Sequence, residues 1–352
     1  MKTVSIAASR TYDILIERGG LDRLGEWAAG AVGICAAMVI ADDTVDALYG
    51  ERAVKSLQEA GFAVSRFVFP HGEKSKNLDV YARTLNALCE KRFTRKDIVV
   101  ALGGGVVGDL AGFAAATYQR GIRFVQVPTT LLAMVDSSVG GKTAVDLPIG
   151  KNQVGAFHQP SLVVCDPDLL QTLPNEQYLC GCAETLKYGV LADAEFFDSM
   201  AKTPICEQYE AAIERSVMMK RDFVMADEFD VGKRQMLNLG HSFGHAVEAC
   251  SNFTVLHGQA VAAGLAVMMR AAVKKGYCKA ESAERVIAVL RSYGLPTEIL
   301  TPLDDMVAAL ASDKKLLGKQ MNLIVPAAIG DCRIVPVPAE ELSDWMRAGG
   351  VR

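Results

Sequence analysis

The chain has 352 residues, half of them apolar and 22% charged, with a net charge of −4 and five histidines. That length suits two domains, each with its own core. No basic block stands out, so nucleic acid is not an expected partner.

The opening stretch "MKTVSIAASRTYDILIERGG" has no continuous apolar segment and does not read as a secretory signal. The longest uncharged apolar run, "AAGAVGICAAMVIA" (28–41), is shorter than the roughly 20 residues a membrane span needs. It ends in Asp42-Asp43 and reads as a loop feeding a buried strand. No membrane association is expected. Nine scattered cysteines without a CxxC pair fit reduced thiols in a cytoplasmic protein.

From there strand and helix patterns alternate. "AAMVIADD" (36–43) is a short apolar run ending in acids, and 46–61 has helical spacing. "AVSRFVF" (63–69) alternates and stops at Pro70, and 78–93 is again helical. "DIVVAL" (97–102), "FVQVP" (124–128) and "LVVCDP" (162–167) read as further strands. This order predicts a Rossmann-like α/β domain, a mostly parallel sheet with helices on both faces. After Pro174 the patterns become helical, at 175–191, 206–226, 239–250, 258–276 and 280–293, with one strand at 321–326. The expected division is therefore an α/β domain over 1–174 and a mostly helical domain over 175–352. Clefts between domains are favoured ligand sites.

"DIVVALGGGVVGDLAGFAAATY" (97–118) puts three glycines between a strand and a helix of small residues. Glycine lets the backbone approach a phosphate, and the helix N-terminus supplies free N–H groups and a positive dipole end. A dinucleotide pyrophosphate suits it; a tight turn with close helix packing is the plain alternative. Asp42 ends an earlier strand, where an acid can bond a ribose diol. "HGEKSK" (71–76) reads as a solvated charged loop. The polar stretch 126–160 sets Lys142, Lys151, Asn152 and Asp136 among glycines and threonines, a composition suited to anion binding.

Downstream, "RQMLNLGHSFGHAVE" places His241 and His245 four residues apart, on one face if helical. His257 follows in "FTVLHGQAVAAG", and "CAETLKYG" puts Glu184 and Lys187 at i and i+3. A catalytic zinc takes three protein ligands and keeps one position open. Glu184 with two of the three histidines would supply that, and spacing does not choose which two. A surface Glu–Lys pair and a core histidine pair are the competing explanations.

Taken together, "LGGGVVGDLAGFAA", "YQRG", "VPTTLLAMVDSSVGGKTAVD", "GKNQVGAFHQP", "AETLKYG", "LNLGHSFGHAVE" and "LHGQAVAAG" resemble the 3-dehydroquinate synthase family, in its motif order, from roughly residue 40 to 330. The resemblance implies a lyase of the shikimate pathway that uses NAD+ and Zn2+ or Co2+. It would act on a heptulosonate 7-phosphate, oxidising a hydroxyl, eliminating phosphate, returning the hydride and closing the ring by an aldol reaction. It implies metal ligands Glu184, His241 and His257, with His245 at the substrate phosphate. Lys142, Asn152 and Arg120 of a neighbouring subunit would surround that phosphate, which implies a homodimer. Lys220, Arg234 and Lys314 would hold the carboxylate and nearby oxygens, with Lys187, Asn238 and Asp136 near the reacting hydroxyls. For NAD+ it implies Asp42, Glu73 and Lys76 on the nucleoside side, and Gly104, Gly105, Val106 and Asp109 at the pyrophosphate. Thr129, Thr130, Asp136, Lys151 and Thr172 would line the rest.

Two departures stand out: Asp230 where the family often has Glu, and Glu176-Gln177 where many members read Arg-Glu. Related sugar phosphate cyclases alter the lysines and the second histidine, whereas Lys142, Lys187, His245 and Lys314 all match the synthase pattern. Metal-dependent alcohol dehydrogenases of the glycerol dehydrogenase kind share the expected architecture but need no phosphate-binding lysines.

Overall fold

The computed structural model describes residues 1–252, 254–311 and 320–352. Lys314 lies outside the described residues. By contacts the chain divides into two compact units, Met1–Pro174 with Lys220–Phe229, and Asn175–Met219 with Asp230–Arg352.

The first unit contains nine strands: Lys2–Ala7 (β1), Thr11–Ile16 (β2), Ala36–Asp42 (β3), Ala63–Phe69 (β4), Ile98–Gly103 (β5), Arg123–Pro128 (β6), Lys142–Leu147 (β7), Gly150–Phe157 (β8) and Leu162–Cys165 (β9). Seven form one sheet in the order β1-β2-β9-β6-β5-β3-β4, and β7 pairs with β8 as a separate antiparallel hairpin. Within the large sheet only β1 and β2 run antiparallel. Every residue of β5 is buried, as a strand covered on both faces requires. The helix Gly105–Thr117 sends Val107, Leu110, Ala111 and Phe113 into one apolar cluster with Met38, Ile40, Val99 and Phe124. Its small residues permit close approach: a Cβ on Gly112 would lie 2.5 Å from Thr143 Cγ2 of the hairpin.

The chain steps from β3 outward to β4, then returns to β5 on the other side of β3. Ligands of open α/β sheets bind outside the carboxyl ends of the strands at such a switch point. Asp42 and Gly103 end the two strands that flank it. Asp97 helps fix this region. Its carboxylate accepts from Ala36 N (3.0 Å), Thr94 N (2.6 Å) and Thr94 Oγ1 (2.8 Å), tying the start of β3 to the turn before β5.

One expectation needs correction here, and two hairpins lie where no strand pair was expected. Residues 28–35 are not simply a loop, because helix Leu24–Val32 runs through them and ends where Gly33 turns at φ +74°. The β1–β2 hairpin was not anticipated, although Val4, Ile6, Tyr12, Ile14 and Ile16 are buried with the period of two that marks a strand. The stretch 126–160, read for its polar residues, contains the β7–β8 hairpin.

The second unit is mainly helical. Its helices are Asn175–Ala192, Ala194–Lys202, Tyr209–Ala226 (up to Met219), His241–Cys250, His257–Lys274, Ala280–Ser292, Leu303–Ala311 and Leu342–Ala348. The expected lone strand is one arm of an antiparallel hairpin, Gln320–Ala328 with Asp331–Pro338, closed at Gly330 with φ +85°. The second arm was missed because its exposed positions blur the alternation. Helix His257–Lys274 is buried over most of its length and forms the middle of this unit. Among the described residues no helix is long and apolar enough to cross a membrane. All nine cysteines are free.

Candidate functional site

In the second unit, glycines let three helices meet. A Cβ on Gly258 would lie 2.2 Å from Cys180 Cα, and one on Gly264 would lie 2.2 Å from the Gly240 carbonyl oxygen. No other residue type permits those approaches. They bring helices Asn175–Ala192, His241–Cys250 and His257–Lys274 close enough for one side chain from each to converge. Glu184 Oε1 lies 3.3 Å from His241 Nε2 and 3.1 Å from His257 Nε2. Lys187 Nζ is 2.6 Å from Glu184 Oε2 and donates to the Leu237 carbonyl at 3.0 Å. This pair is 1% exposed on both sides, so the surface ion-pair explanation fails.

The donor set fits a divalent cation. His241 Nδ1 donates to the Leu239 carbonyl at 3.1 Å, which leaves Nε2 as a lone-pair acceptor facing the carboxylate. Burial lowers the His241 pKa and keeps the ring neutral, against the pull of Glu184. Two acceptors 3.3 Å apart repel unless a cation lies between them, and N and O donors at about 2.0–2.2 Å from a tetrahedral zinc stand at such a spacing. Burial alone would raise the Glu184 pKa, but the charge of Lys187, together with His257, holds its carboxyl well below the usual range. Burial likewise opposes charge on His257, yet Glu184 and Glu248 outweigh it and raise that pKa to about 10. The charge asked of His257 is one that a bound cation would supply instead. A second grouping, His245, Glu248 and His257, also has ligand atoms within 4.8 Å of one another. The rings of His241 and His245 stand 5.3 Å apart, centroid to centroid. Arg234 is buried at 1% exposure and Asn238 is half-buried.

The first unit builds its site from backbone. Gly104 and Gly105 open helix Gly105–Thr117, and no side chain caps that end. A Cβ on Gly104 would press on Thr130 Cγ2 at 2.9 Å, whereas one on Gly105 would meet only Ser137 Oγ at 3.2 Å. Val106 follows in the first turn, and Thr129 N–H donates to the Gly103 carbonyl at 3.0 Å. Asp42 caps the next turn by accepting from Val45 N–H at 2.8 Å, and burial raises its pKa despite that bond. The Thr172 hydroxyl is hydrogen-bonded to Tyr49.

Lys76, 4% exposed, is no member of a solvated loop. Its Nζ reaches Glu73 Oε1 (3.0 Å), Asp109 Oδ2 (3.1 Å) and Asp146 Oδ1 (3.8 Å), and donates to Asn152 Oδ1 at 2.7 Å. Burial would lower the Lys76 pKa, but the three carboxylates raise it. Lys151 lies 3.9 Å from Glu73. Asn152 takes a φ of +54° while its N–H donates to Asp146 Oδ1 at 2.7 Å. Lys220 binds Asp136 twice, at 2.9 Å to the carboxylate and 2.7 Å to the carbonyl. Lys142 is exposed at the start of β7. Arg120 is also exposed, in a turn where Gln119, Arg120 and Gly121 all have positive φ. Sequence reasoning missed Asp146, Leu239 and Glu248. Only Glu248 carried a signal, since i+3 from His245 puts it on the same helix face.

The two-unit fold is the dehydroquinate synthase-like architecture, which both a cyclising synthase and a dehydrogenase adopt. The solved 2-epi-5-epi-valiolone synthase from Streptomyces hygroscopicus subsp. jinggangensis, with NAD+ and Zn2+ bound, is 28% identical and covers 98% of each chain, with a TM-score of 0.88. A probable glycerol dehydrogenase from Sinorhizobium meliloti covers 96% of each chain at 17% identity and a TM-score of 0.63, a likeness of fold alone. The chain belongs to the 3-dehydroquinate synthase family: the model of the family's N-terminal part matches residues 66–180 and that of its C-terminal part residues 181–316. The 3-dehydroquinate synthase of Streptococcus suis is 42% identical over 354 residues, 99% of this chain and all of that one.

Proposed function

We propose that this chain is a 3-dehydroquinate synthase, converting 3-deoxy-D-arabino-heptulosonate 7-phosphate to 3-dehydroquinate and phosphate. The observation that carries the proposal is the convergence of His241 and His257 on the buried carboxylate of Glu184, with Lys187 bonded to Glu184. Family membership over nearly the whole chain supports the same activity. The net class is a carbon–oxygen lyase, because the cofactor is restored in each cycle.

Glu184, His241 and His257 would hold Zn2+ or Co2+, which supplies Lewis-acid polarisation of the substrate hydroxyls. Asp42, Glu73, Lys76, Gly104, Gly105, Val106, Asp109, Thr129, Thr130, Asp136, Lys151 and Thr172 would hold NAD+, which supplies reversible hydride acceptance. The remaining work falls to the chain's own groups. Lys187, desolvated beside Glu184, donates to a substrate hydroxyl and steadies the charge that develops on its oxygen. Arg234 grips the substrate carboxylate, for which a planar fork suits better than an ammonium. Lys220 and Asp136, already paired, orient the neighbouring oxygens, with Asn238 at the reacting hydroxyls and Lys314 at the carboxylate end. Lys142, Asn152 and His245 bind the phosphate and stabilise it as it leaves. The phosphate oxygens of the substrate can take the proton lost in elimination, so no separate protein base is required. Arg120, exposed in its strained turn, completes the phosphate site of a neighbouring subunit in a homodimer. The free cysteines suit a reducing, cytoplasmic compartment.

The test is phosphate release from the heptulosonate phosphate with NAD+ and metal withheld in turn. Release should need both, without build-up of NADH. NADH rising in step with substrate would instead mark a dehydrogenase and end the proposal.

A further inference from the structure

Glu248 has no part in the roles above, yet it is 3% exposed. It sits on helix His241–Cys250, one turn beyond His245. Its Oε2 is 3.2 Å from His257 Nδ1, and the Nε2 of the same ring is 3.1 Å from Glu184 Oε1. A buried carboxylate needs a partner that repays its lost hydration, and the ring of His257 provides one.

Two functions could keep Glu248 there. It could help ligate a second ion with His245 and His257, whose ligand atoms lie within 4.8 Å. Or it could fix the ring of His257 for a single ion on the far side. The ring decides between them. An imidazole that gives its Nε2 lone pair to a metal carries its proton on Nδ1, and that N–H is a donor with nothing to offer a second cation. A carboxylate at 3.2 Å accepts it and sets both tautomer and ring plane, as outer partners of metal-bound histidines generally do.

The two histidines also differ in how firmly the fold holds them. The His241 side chain is 12% exposed and its Nδ1 is bound by the Leu239 carbonyl, part of the backbone. The His257 side chain is 33% exposed and stands at the first position of its helix. It has less packing to fix its rotamer, and Glu248 replaces that packing with a charged acceptor.

We propose that Glu248 is a positioning residue that orients His257 through Nδ1, so that Glu184, His241 and His257 form one metal site and the second grouping is its support. The inference rests on the metal site proposed above. The test strips the purified protein with a chelator and titrates zinc against a chromophoric competitor, for wild type, E248A, E248Q, E248D and H241A. Wild type should bind one zinc per chain and H241A should retain none. E248A should bind about 10–100-fold more weakly. E248Q keeps a neutral acceptor of the same shape and should fall between the two, a graded rescue that a merely space-filling role would not produce. Wild-type affinity in both E248A and E248Q would overturn the proposal, and so would two zinc ions in wild type with one lost in the Glu248 variants. E248Q carries the measurement if E248A fails to fold. Absence of zinc binding by wild type would instead overturn the underlying metal site.

Discussion

The two units of this chain build their sites from opposite materials. The first uses what glycine leaves out. At Gly104 and Gly105 the absence of side chains leaves a helix N-terminus uncapped, and three carboxylates gather around one buried lysine. The second uses what its helices carry. Glu184, Lys187, His241, Glu248 and His257 project charge or lone pairs into a space that glycines at 240, 258 and 264 merely narrow. A backbone site tolerates changes in surrounding side chains but not an added methyl group. A side-chain site fails when any one donor is removed, because the others are left buried and uncompensated.

The largest effect should come from the side-chain site. His241→Ala should lose zinc on dialysis and reduce phosphate release to background, whereas His245→Ala should keep zinc and slow the reaction. Metal analysis of the two purified variants checks this, and equal zinc loss would reject the division of roles. Next, removing the ion should destabilise the second unit, since a ligand that binds only the folded state at 1,000 times its Kd contributes about 4 kcal/mol. Thermal unfolding with and without a chelator reads this directly. An unchanged Tm would mean that the carboxylate and imidazoles are stable without a cation.

A smaller effect tests the backbone site. Gly105→Ala adds a methyl group that meets only Ser137 Oγ at 3.2 Å, so folding should survive. NAD+ affinity should nonetheless fall about tenfold, or about 1.4 kcal/mol, with zinc content unchanged. Calorimetric titration would show it, and equal binding by both proteins would move the dinucleotide elsewhere.

The smallest effect concerns the framework beneath that site. Burial would raise the Asp97 pKa, but bonds from Thr94 and Ala36 and the charge of Arg123 lower it overall. A depressed carboxylate stabilises the fold above its unfolded pKa of about 3.9, and that contribution is lost as pH falls through the folded value. Asp97→Ala should therefore cost about 1 kcal/mol at neutral pH, because the donors it leaves on Ala36 and Thr94 are part-buried or exposed and can turn to water. It should also flatten the loss of stability below about pH 4. Denaturant unfolding at several pH values checks both.

Much of this protein could be read from its residues. Alternation of strand and helix patterns up to Pro174 fixes a parallel sheet, because each type of element has its own period. The three glycines after "DIVVAL" open a helix after a buried strand, and "GHSFGH" sets two histidines on one helix face. The β1–β2 hairpin could also have been found, since Val4, Ile6, Tyr12, Ile14 and Ile16 alternate. Helix Leu24–Val32 could not, being hidden in a run of small apolar residues that suits several local structures.

What the sequence determined by itself is which chemical groups are available and which of them share a strand end or a helix face, because local spacing sets that geometry. The tertiary structure decided their environment. Burial turns Glu184–Lys187 from a surface pair into a desolvated one, draws Lys76 among three carboxylates, and matches Glu248 with a ring nine residues further on. Those outcomes depend on contacts between segments distant in the chain and on the low dielectric they create, and no local pattern encodes either.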